Sequence, residues 1–388
     1  MRRTVDDRVL SKIASVDWDF KEASHAEYTH PFHAYPARFI PEIPRMLIRI
    51  LSTEDDLNTL DPFCGCGTTL VESLLEGKNA FGIDANPLAV LISKVKTKPL
   101  HRDLQTSIDK FFANIETKYN FQYQPEIPRI PNLNHWFPAH TQRELTIIRE
   151  EIDSLSNRDV RDFYRVALSS ILLSVSYQES DTRYARVERR IKRGDAIRKL
   201  RAQLLFMNRQ MAEYSSQLVG KNIKVEVFCD DVRSFDPQRL GENSMDLAVF
   251  SPPYPNAYEY YLYHKYRMYW LGFDPHELRQ KEIGVRADYS KDNNLTEQDF
   301  YNDMAKCFKM LGVVLKTEKY MACVIGDSII KGKKIDNSSL IERAGRTCGF
   351  ELIGKWSRNI NQRRKSFNPR IGSKRNETIL ILKNRKAS

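Results

Sequence analysis

No apolar run in the 388 residues reaches the roughly 18 positions that a membrane span needs. The Met1-Arg2-Arg3 start leads into Asp6-Asp7 and not into a hydrophobic signal core, so a cytoplasmic location is the expectation. Cysteine is sparse. The six residues Cys64, Cys66, Cys229, Cys307, Cys323 and Cys348 form no CxxC pair and fall mostly in apolar runs, where the thiol packs as a small hydrophobe. Reduced thiols follow. Cys64-Gly65-Cys66 has no His/Cys set at zinc spacing to complete it, so no metal is expected. Internal repeats and low-complexity tracts are absent, and no GKS or GKT follows the chain's glycine turn, which argues against phosphate transfer.

What is present is a globular composition: 41% apolar residues with a mean hydropathy of -0.52, enough for one large core or a core plus a subdomain. The formal charge of +11 points to a polyanionic partner, because each phosphate neutralised by Lys or Arg releases condensed counterions. Two basic blocks carry much of it. One holds Arg183, Arg186, Arg189, Arg190, Lys192, Arg193, Arg198, Lys199 and Arg201; the other holds Arg363, Arg364, Lys365, Arg370, Lys374 and Arg375. Each by itself reads equally well as a solvated face.

Four segments are expected. Residues 1–29 form a polar arm with an anchoring pair, Trp18 and Phe20; residues 30–101 open a catalytic domain; residues 102–220 form a helical insertion; and residues 221–388 complete the catalytic domain. Apolar residues at helical spacing predict a helix over 35–51. A strand then runs to Asp61, a glycine turn and a helix over 68–76 follow, and a second strand over 79–84 ends on Asp84. Strand, glycine turn, helix and strand open a parallel α/β sheet. Helical patterns over 141–156, 159–176 and 195–218 carry no convincing strands between them. Strands return at 224–228, 245–250, 320–325, 350–356 and 378–382, giving about seven, with the last two close enough for a hairpin.

Asp61-Pro62-Phe63-Cys64-Gly65-Cys66-Gly67-Thr68-Thr69 places two glycines where a strand becomes a helix, so backbone can approach a ligand closely beneath the helix N-terminus. Asp84, at the end of the next strand, can accept hydrogen bonds from two ribose hydroxyls. The pair points to an adenosine-containing cofactor. Ser251-Pro252-Pro253-Tyr254 follows a strand directly, and its prolines stiffen the backbone. An exocyclic amine needs acceptors for its hydrogens, which the Ser251 hydroxyl and the Pro252 carbonyl supply, while Tyr254 offers a face to a flipped base.

With these motifs the sequence resembles the S-adenosylmethionine-dependent amino-methyltransferases of DNA, the bacterial modification methylases. Asp61, Pro62, Phe63, Gly65, Gly67, Thr68 and Thr69 match the family's cofactor loop, Asp84 its ribose acid, and the Ser-Pro-Pro-Tyr run its catalytic motif. Tyr35, Pro36, Ala37 and Phe39 are similar to its N-terminal cofactor motif, Asp231 to the acid that holds adenine, and Val324-Ile325-Gly326-Asp327-Ser328 to a late-strand motif. The resemblance implies a class I methyltransferase fold, Rossmann-like, with a seven-stranded mostly parallel sheet, plus the inserted helical subdomain. It also implies direct methyl transfer to a flipped base in double-stranded DNA, with no cysteine intermediate. Serine at position 251 is typical of cytosine-N4 enzymes, adenine N6 being the alternative. A cognate restriction endonuclease is the further partner it raises.

The large insert between the second and third strands departs from the common motif orders, which leaves the DNA-reading segment open. Two stretches compete: the insert, through Arg189, Arg190 and Arg193, and the 256–294 loop, through Tyr258, Lys265 and Arg267; a third, with Arg363, Arg364 and Lys365 before the last strand, is placed to grip the backbone. His135-Trp136-Phe137 reads as a core or hinge anchor. Rival functions are an RNA or tRNA guanine-N2 methyltransferase, for which no separate RNA-binding module is visible, and a non-catalytic DNA-binding subunit, which would carry degraded motifs.

Overall fold

The structure is a computed structural model that describes residues 5–24, 26–100, 104–120, 123–290, 293–360 and 376–385. Its centre is a seven-stranded sheet. In chain order the strands are β1 (Asn58–Asp61), β2 (Asn79–Asp84), the short β3 (Gln178–Ser180) and β4 (Arg183–Arg186), β5 (Val225–Cys229), β6 (Met245–Phe250), β7 (Leu315–Gly326), the short β8 (Ser328–Ile330) and β9 (Lys333–Ile335), β10 (Phe350–Asn359) and β11 (Asn376–Asn384). The sheet runs β10-β11-β7-β6-β1-β2-β5, while β3 pairs with β4 and β8 with β9 as separate hairpins. All neighbours from β5 across to β7 are parallel, and β11 is antiparallel to both β7 and β10. This is the strand order of the class I methyltransferase fold. The chain proceeds outward from β1 on one side and from β6 on the other, so the order reverses between β1 and β6. A crevice opens at the carboxyl ends of strands at such a switch point.

Strand alternation divides the core between the two faces. Leu247, Val249, Ala322, Val324, Ile379 and Ile381 face one way, under α1 (Val5–Ala14) and α2 (Glu42–Leu51). Their neighbours Ala248, Phe250, Met321, Cys323, Leu380 and Leu382 face the other, among buried residues of two later helices introduced below. The polar arm therefore contributes a packed helix. Trp18 is buried and meets Phe20 edge to face with ring centres 6.0 Å apart, the anchor expected of that pair. The helix expected over 35–51 begins only at Glu42, because Pro36 and Pro41 disfavour helical backbone at Tyr35 and Ile40 and Ala37 turns to φ 52°. The freed loop reaches the crevice.

After β1, α3 (Thr68–Leu75) and α4 (Pro87–Thr97) flank β2. Between β2 and β5 lie α5 (Gln105–Asn120), α6 (Leu133–Trp136), α7 (Ala139–Asp153), α8 (Arg158–Ile171) and α9 (Asp195–Gln217), a helical stretch. Its buried side chains share one continuous cluster with those of α3 and α4, so it thickens the domain on that face. Trp136 and Phe137 lie in that cluster. The β3–β4 hairpin corrects the expectation of no strands. It lacks apolar alternation and is held by the buried Gln178 amide, which donates to the Ser180 and Tyr263 carbonyls at 2.9 and 3.1 Å. The 256–294 stretch carries α10 (Tyr260–Tyr263), α11 (Lys265–Trp270) and α12 (Pro275–Lys281), and the second sheet face is covered by α13 (Glu297–Val314) and α14 (Asn337–Thr347). No helix among the described residues is long and apolar enough to cross a membrane.

Candidate active site

Register brings the separate motifs together. Leu60 pairs with Ala248 and Asp61 with Gly82, so the glycine turn after β1 emerges between the ends of β6 and β2. The Phe63 and Phe250 rings meet there with centres 5.6 Å apart. The result is a cleft of about 1820 Å³ at the switch point.

Glycine is required within the turn. Gly65 and Gly67 have φ of 50° and 83°, and a Cβ on Gly67 would lie 2.8 Å from Ser93 Oγ. Ser93 cannot yield freely, since its hydroxyl donates to the Gly65 carbonyl at 2.7 Å. Asp84 completes the cradle. One of its oxygens accepts the Gly65 N–H and the other the Asn86 N–H, both at 2.8 Å, and each oxygen keeps a lone pair for a vicinal diol. Burial pushes the Asp84 carboxyl up to about 6. Asp61 is pushed up to about 7, by burial foremost and also by the charge of Asp84. A carboxylate with an acceptor on each oxygen, beneath a glycine turn and beside Phe63, fits a nucleoside.

Tyr35 closes one side. Its hydroxyl accepts from the Asn86 side-chain amide at 3.2 Å, and its ring stacks on Tyr260 with centres 5.5 Å apart. Pro36, Ala37 and Phe39 line the same wall. Asp61, Pro62, Phe63, Gly65, Thr68, Thr69, Asp84 and Asp231 border the cleft too, whereas Gly67 lies behind it and acts through the turn. Asp231 is already engaged: Arg233 donates to both of its oxygens, at 2.6 to 3.0 Å. It has less to offer a ligand than Asp84.

Ser251, Pro252, Pro253 and Tyr254 form the facing rim. The Tyr254 ring lies against Gly326, where a Cβ would come within 3.1 Å of it. Its hydroxyl donates to Glu377 at 2.9 Å and lies 3.4 Å from Ser251 Oγ, a distance long for a hydroxyl pair. Burial foremost, and next the charge of Glu377, raises the Tyr254 hydroxyl well above the ordinary phenol range and keeps it a donor. Glu377 is paired with the buried Arg358 at 2.5 Å, and Arg358 Nε donates to the Trp18 carbonyl. Sequence reasoning missed Glu377 and Arg358. The signal was a cross-strand pair of opposite charge, Arg358 facing Glu377 in the β10–β11 register, visible only once that register is known. Glu282 was missed as well. It lines the cleft, accepts the N–H groups of Tyr260 and Tyr261 at 2.6 and 3.1 Å, and is pushed up to about 7 by burial.

The expected DNA contacts scatter. Tyr258 lines the cleft, while Lys265 does not. Arg267 is buried and spends its donors on Asp181 and the Ser169 carbonyl, which corrects its placement on a DNA surface. Arg189 is half-buried, donating to the Leu173, Gln178 and Glu179 carbonyls, and borders a shallow second hollow with the exposed Arg190. Arg193 is exposed on the approach to α9. Arg363, Arg364 and Lys365 lie outside the described residues. No group of His, Cys, Asp and Glu that could hold a metal occurs among the described residues.

Comparison with known proteins finds similar chains. Residues 3–95, which span the Tyr35 loop, the glycine turn and Asp84, match the N6/N4-type DNA methylase family model. The type II methyltransferase M.MvaI of Kocuria varians is 24% identical over 425 aligned positions, covering 94% of this chain and 93% of that protein. M.BsoBI of Geobacillus stearothermophilus, also a type II methyltransferase, is 22% identical and covers 73% of this chain and 61% of its own length. Among solved structures, a SAM-dependent methyltransferase from Methanosarcina mazei aligns over 92% of this chain and all of its own at 11% identity, with a TM-score of 0.35. The chain is thus similar to DNA methylases over residues 3–95 and to a type II methyltransferase over most of its length, and its strand order is that of the class I methyltransferase fold.

Proposed function

We propose that this protein is an S-adenosylmethionine-dependent methyltransferase acting on the exocyclic amine of a base flipped out of duplex DNA, with cytosine N4 as the target. The observation that carries the reading is the shared cleft: the Asp84 cradle and the Ser251-Pro252-Pro253-Tyr254 rim border one cavity, at the place where the strand order reverses.

S-adenosylmethionine supplies an activated methyl group on its sulfonium. The protein's own contribution is positional. Asp84 accepts the ribose hydroxyls, and the Tyr35 wall covers the cradle. On the far rim, Ser251 Oγ and the Pro252 carbonyl accept the two hydrogens of the amine, which turns the nitrogen lone pair toward the methyl group. Tyr254 donates to Glu377, so its hydroxyl hydrogen is committed and the Ser251 oxygen keeps its acceptor capacity for the amine. The proton lost as the bond forms is released to water, since a serine hydroxyl and a peptide carbonyl are too weakly basic to keep it. The basic charge of the chain supports a phosphate-rich substrate. Serine at position 251 supports cytosine N4 over adenine N6.

The test is incubation with labelled S-adenosylmethionine and unmethylated duplex DNA, followed by sequencing that separates N4-methylcytosine from N6-methyladenine in DNA of expressing cells. Label in DNA with N4-methylcytosine at a fixed site is expected. Label in tRNA and none in DNA would overturn the DNA reading, and N6-methyladenine would overturn the choice of base.

A further inference from the structure

Immediately beyond β7 the chain makes a hairpin that belongs to neither the sheet nor the cofactor cradle. The strands β8 and β9 pair antiparallel around Lys331-Gly332, whose φ of 51° and 84° mark a tight two-residue turn matched to strand twist. One face is fixed: Ile330 and Ile335 are buried with Tyr289. The buried Asn337 amide donates to the Gly326 carbonyl at 2.9 Å and to Ser328 Oγ at 2.7 Å. The other face is open and carries Ile329 directly opposite Lys334, both at the rim of the cleft. Ile329 is 37% exposed, one of few large apolar side chains left in water. A single exposed isoleucine means nothing by itself. Its setting does: Lys331, Lys333 and Lys334 surround the tip, and Asn256, two residues past Tyr254, donates its amide to the Ile329 carbonyl. The hairpin is thus tied to the same loop that carries Tyr254.

We propose that the β8–β9 hairpin is the wedge that opens the duplex: Ile329 enters the base stack beside the extruded base, and Lys331, Lys333 and Lys334 hold the phosphates around the gap. This rests on the DNA methyltransferase reading and extends it to how the base is taken out. Apolar side chains inserted at a base step offset part of the stacking that is lost there. A base drawn into the cleft leaves such a vacancy. The lysines are available for phosphate, since Lys333 pairs with Glu297 at 3.4 Å and Lys334 with Asp327 at 2.8 Å only at the exposed surface. Pairs of that kind are weak and exchange readily. The rigid base of the hairpin keeps the wedge in register with Tyr254, because Gly326, which Asn337 holds, is also the residue against the Tyr254 ring.

The experiment compares two duplexes carrying the site mapped by sequencing, one fully paired and one with the target base mispaired. Ile329→Ala is expected to slow transfer on the paired duplex on the order of tenfold and to approach the wild-type rate on the mispaired one, where the base is already free to leave. Ile329→Leu keeps an apolar wedge and is expected to retain the wild-type rate on both. Lys331→Ala is expected to lower the slope of log affinity against log salt by about one. Ile329→Ala matching the wild type on the paired duplex, or slowing both duplexes alike, overturns the wedge. An unchanged salt slope for Lys331→Ala overturns the phosphate contact. Wild-type protein that labels no DNA overturns the underlying reading instead, so the two failures are distinguishable.

Discussion

The Tyr254 hydroxyl donates to Glu377 at 2.9 Å across 123 residues of sequence, and Arg358, facing Glu377 on the neighbouring strand, fixes that carboxylate from behind. The aromatic side chain of the Ser-Pro-Pro-Tyr run is therefore held by the last hairpin of the sheet. Glu377→Gln keeps an acceptor for Tyr254 but removes the charge that holds Arg358. It is expected to lower kcat about tenfold with little change in S-adenosylmethionine affinity, read by steady-state kinetics alongside titration calorimetry. A parallel loss of cofactor affinity would show that the pair acts on the whole cleft and not on Tyr254.

In the proposed function Asp84 serves binding and Ser251 serves chemistry. Asp84→Ala is expected to weaken S-adenosylmethionine binding by about 2 kcal/mol, the scale of charge-assisted hydrogen bonds. Ser251→Ala is expected chiefly to slow transfer. Calorimetry and single-turnover rates on both variants test this, and equal losses of cofactor affinity would contradict the assignment.

Acidity carries the same signature. Burial raises Asp84 to about 6 and Asp61 to about 7, so both hold a proton at a pH where an ordinary carboxyl has lost it. A diol requires Asp84 ionised. Cofactor affinity is expected to be full above about pH 7 and to fall as pH drops through about 6, approaching tenfold per unit below it. Calorimetric titrations across that range check the sign, and Asp84→Asn should flatten the profile near 6.

Gly67 leaves no room for a side chain. Gly67→Ala forces a Cβ into the Ser93 side chain at a φ of 83°, and Ser93 gives way only by losing its bond to the Gly65 carbonyl. A loss of about 1–3 kcal/mol is expected, measured by denaturant unfolding.

Arg267 separates a structural cation from a DNA contact. Arg267→Met leaves Asp181 without its partner in a mostly buried site and is expected to cost about 3 kcal/mol of stability. The salt dependence of DNA binding should stay unchanged. A reduced salt slope with unaltered stability would restore Arg267 to the DNA surface.

Local motifs were legible in the sequence because their geometry is local. The turn from Asp61 to Thr69, the acid at the end of β2 and the rim after β6 each need only a strand end and a few neighbouring residues, and parallel register then aligns them. Other features depend on partners far along the chain. Arg267 looks like a surface charge until Asp181, 86 residues away, is packed beside it. Glu377 opens an ordinary strand until β11 slots between β7 and β10. The 35–41 stretch followed an apolar period that its prolines overrule, and the β3–β4 hairpin carries no apolar alternation because its one buried strand side chain is the Gln178 amide, which holds it by hydrogen bonds.

The interior position of β11 sets an order of events during synthesis. β10 pairs with the sheet only through β11, and α1 is tied to the same strand, Lys383 meeting Asp6 at 2.9 Å. A nascent chain that has emerged only as far as β10 has its glycine turn and its Ser-Pro-Pro-Tyr run in place, yet lacks both Glu377 and the strand that links β10 to β7. Residues 376–384 must clear the ribosome before that edge of the sheet can join the rest. The completed cleft is then expected to appear late and all at once, and a polypeptide halted before residue 376 would lack the carboxylate that holds Tyr254.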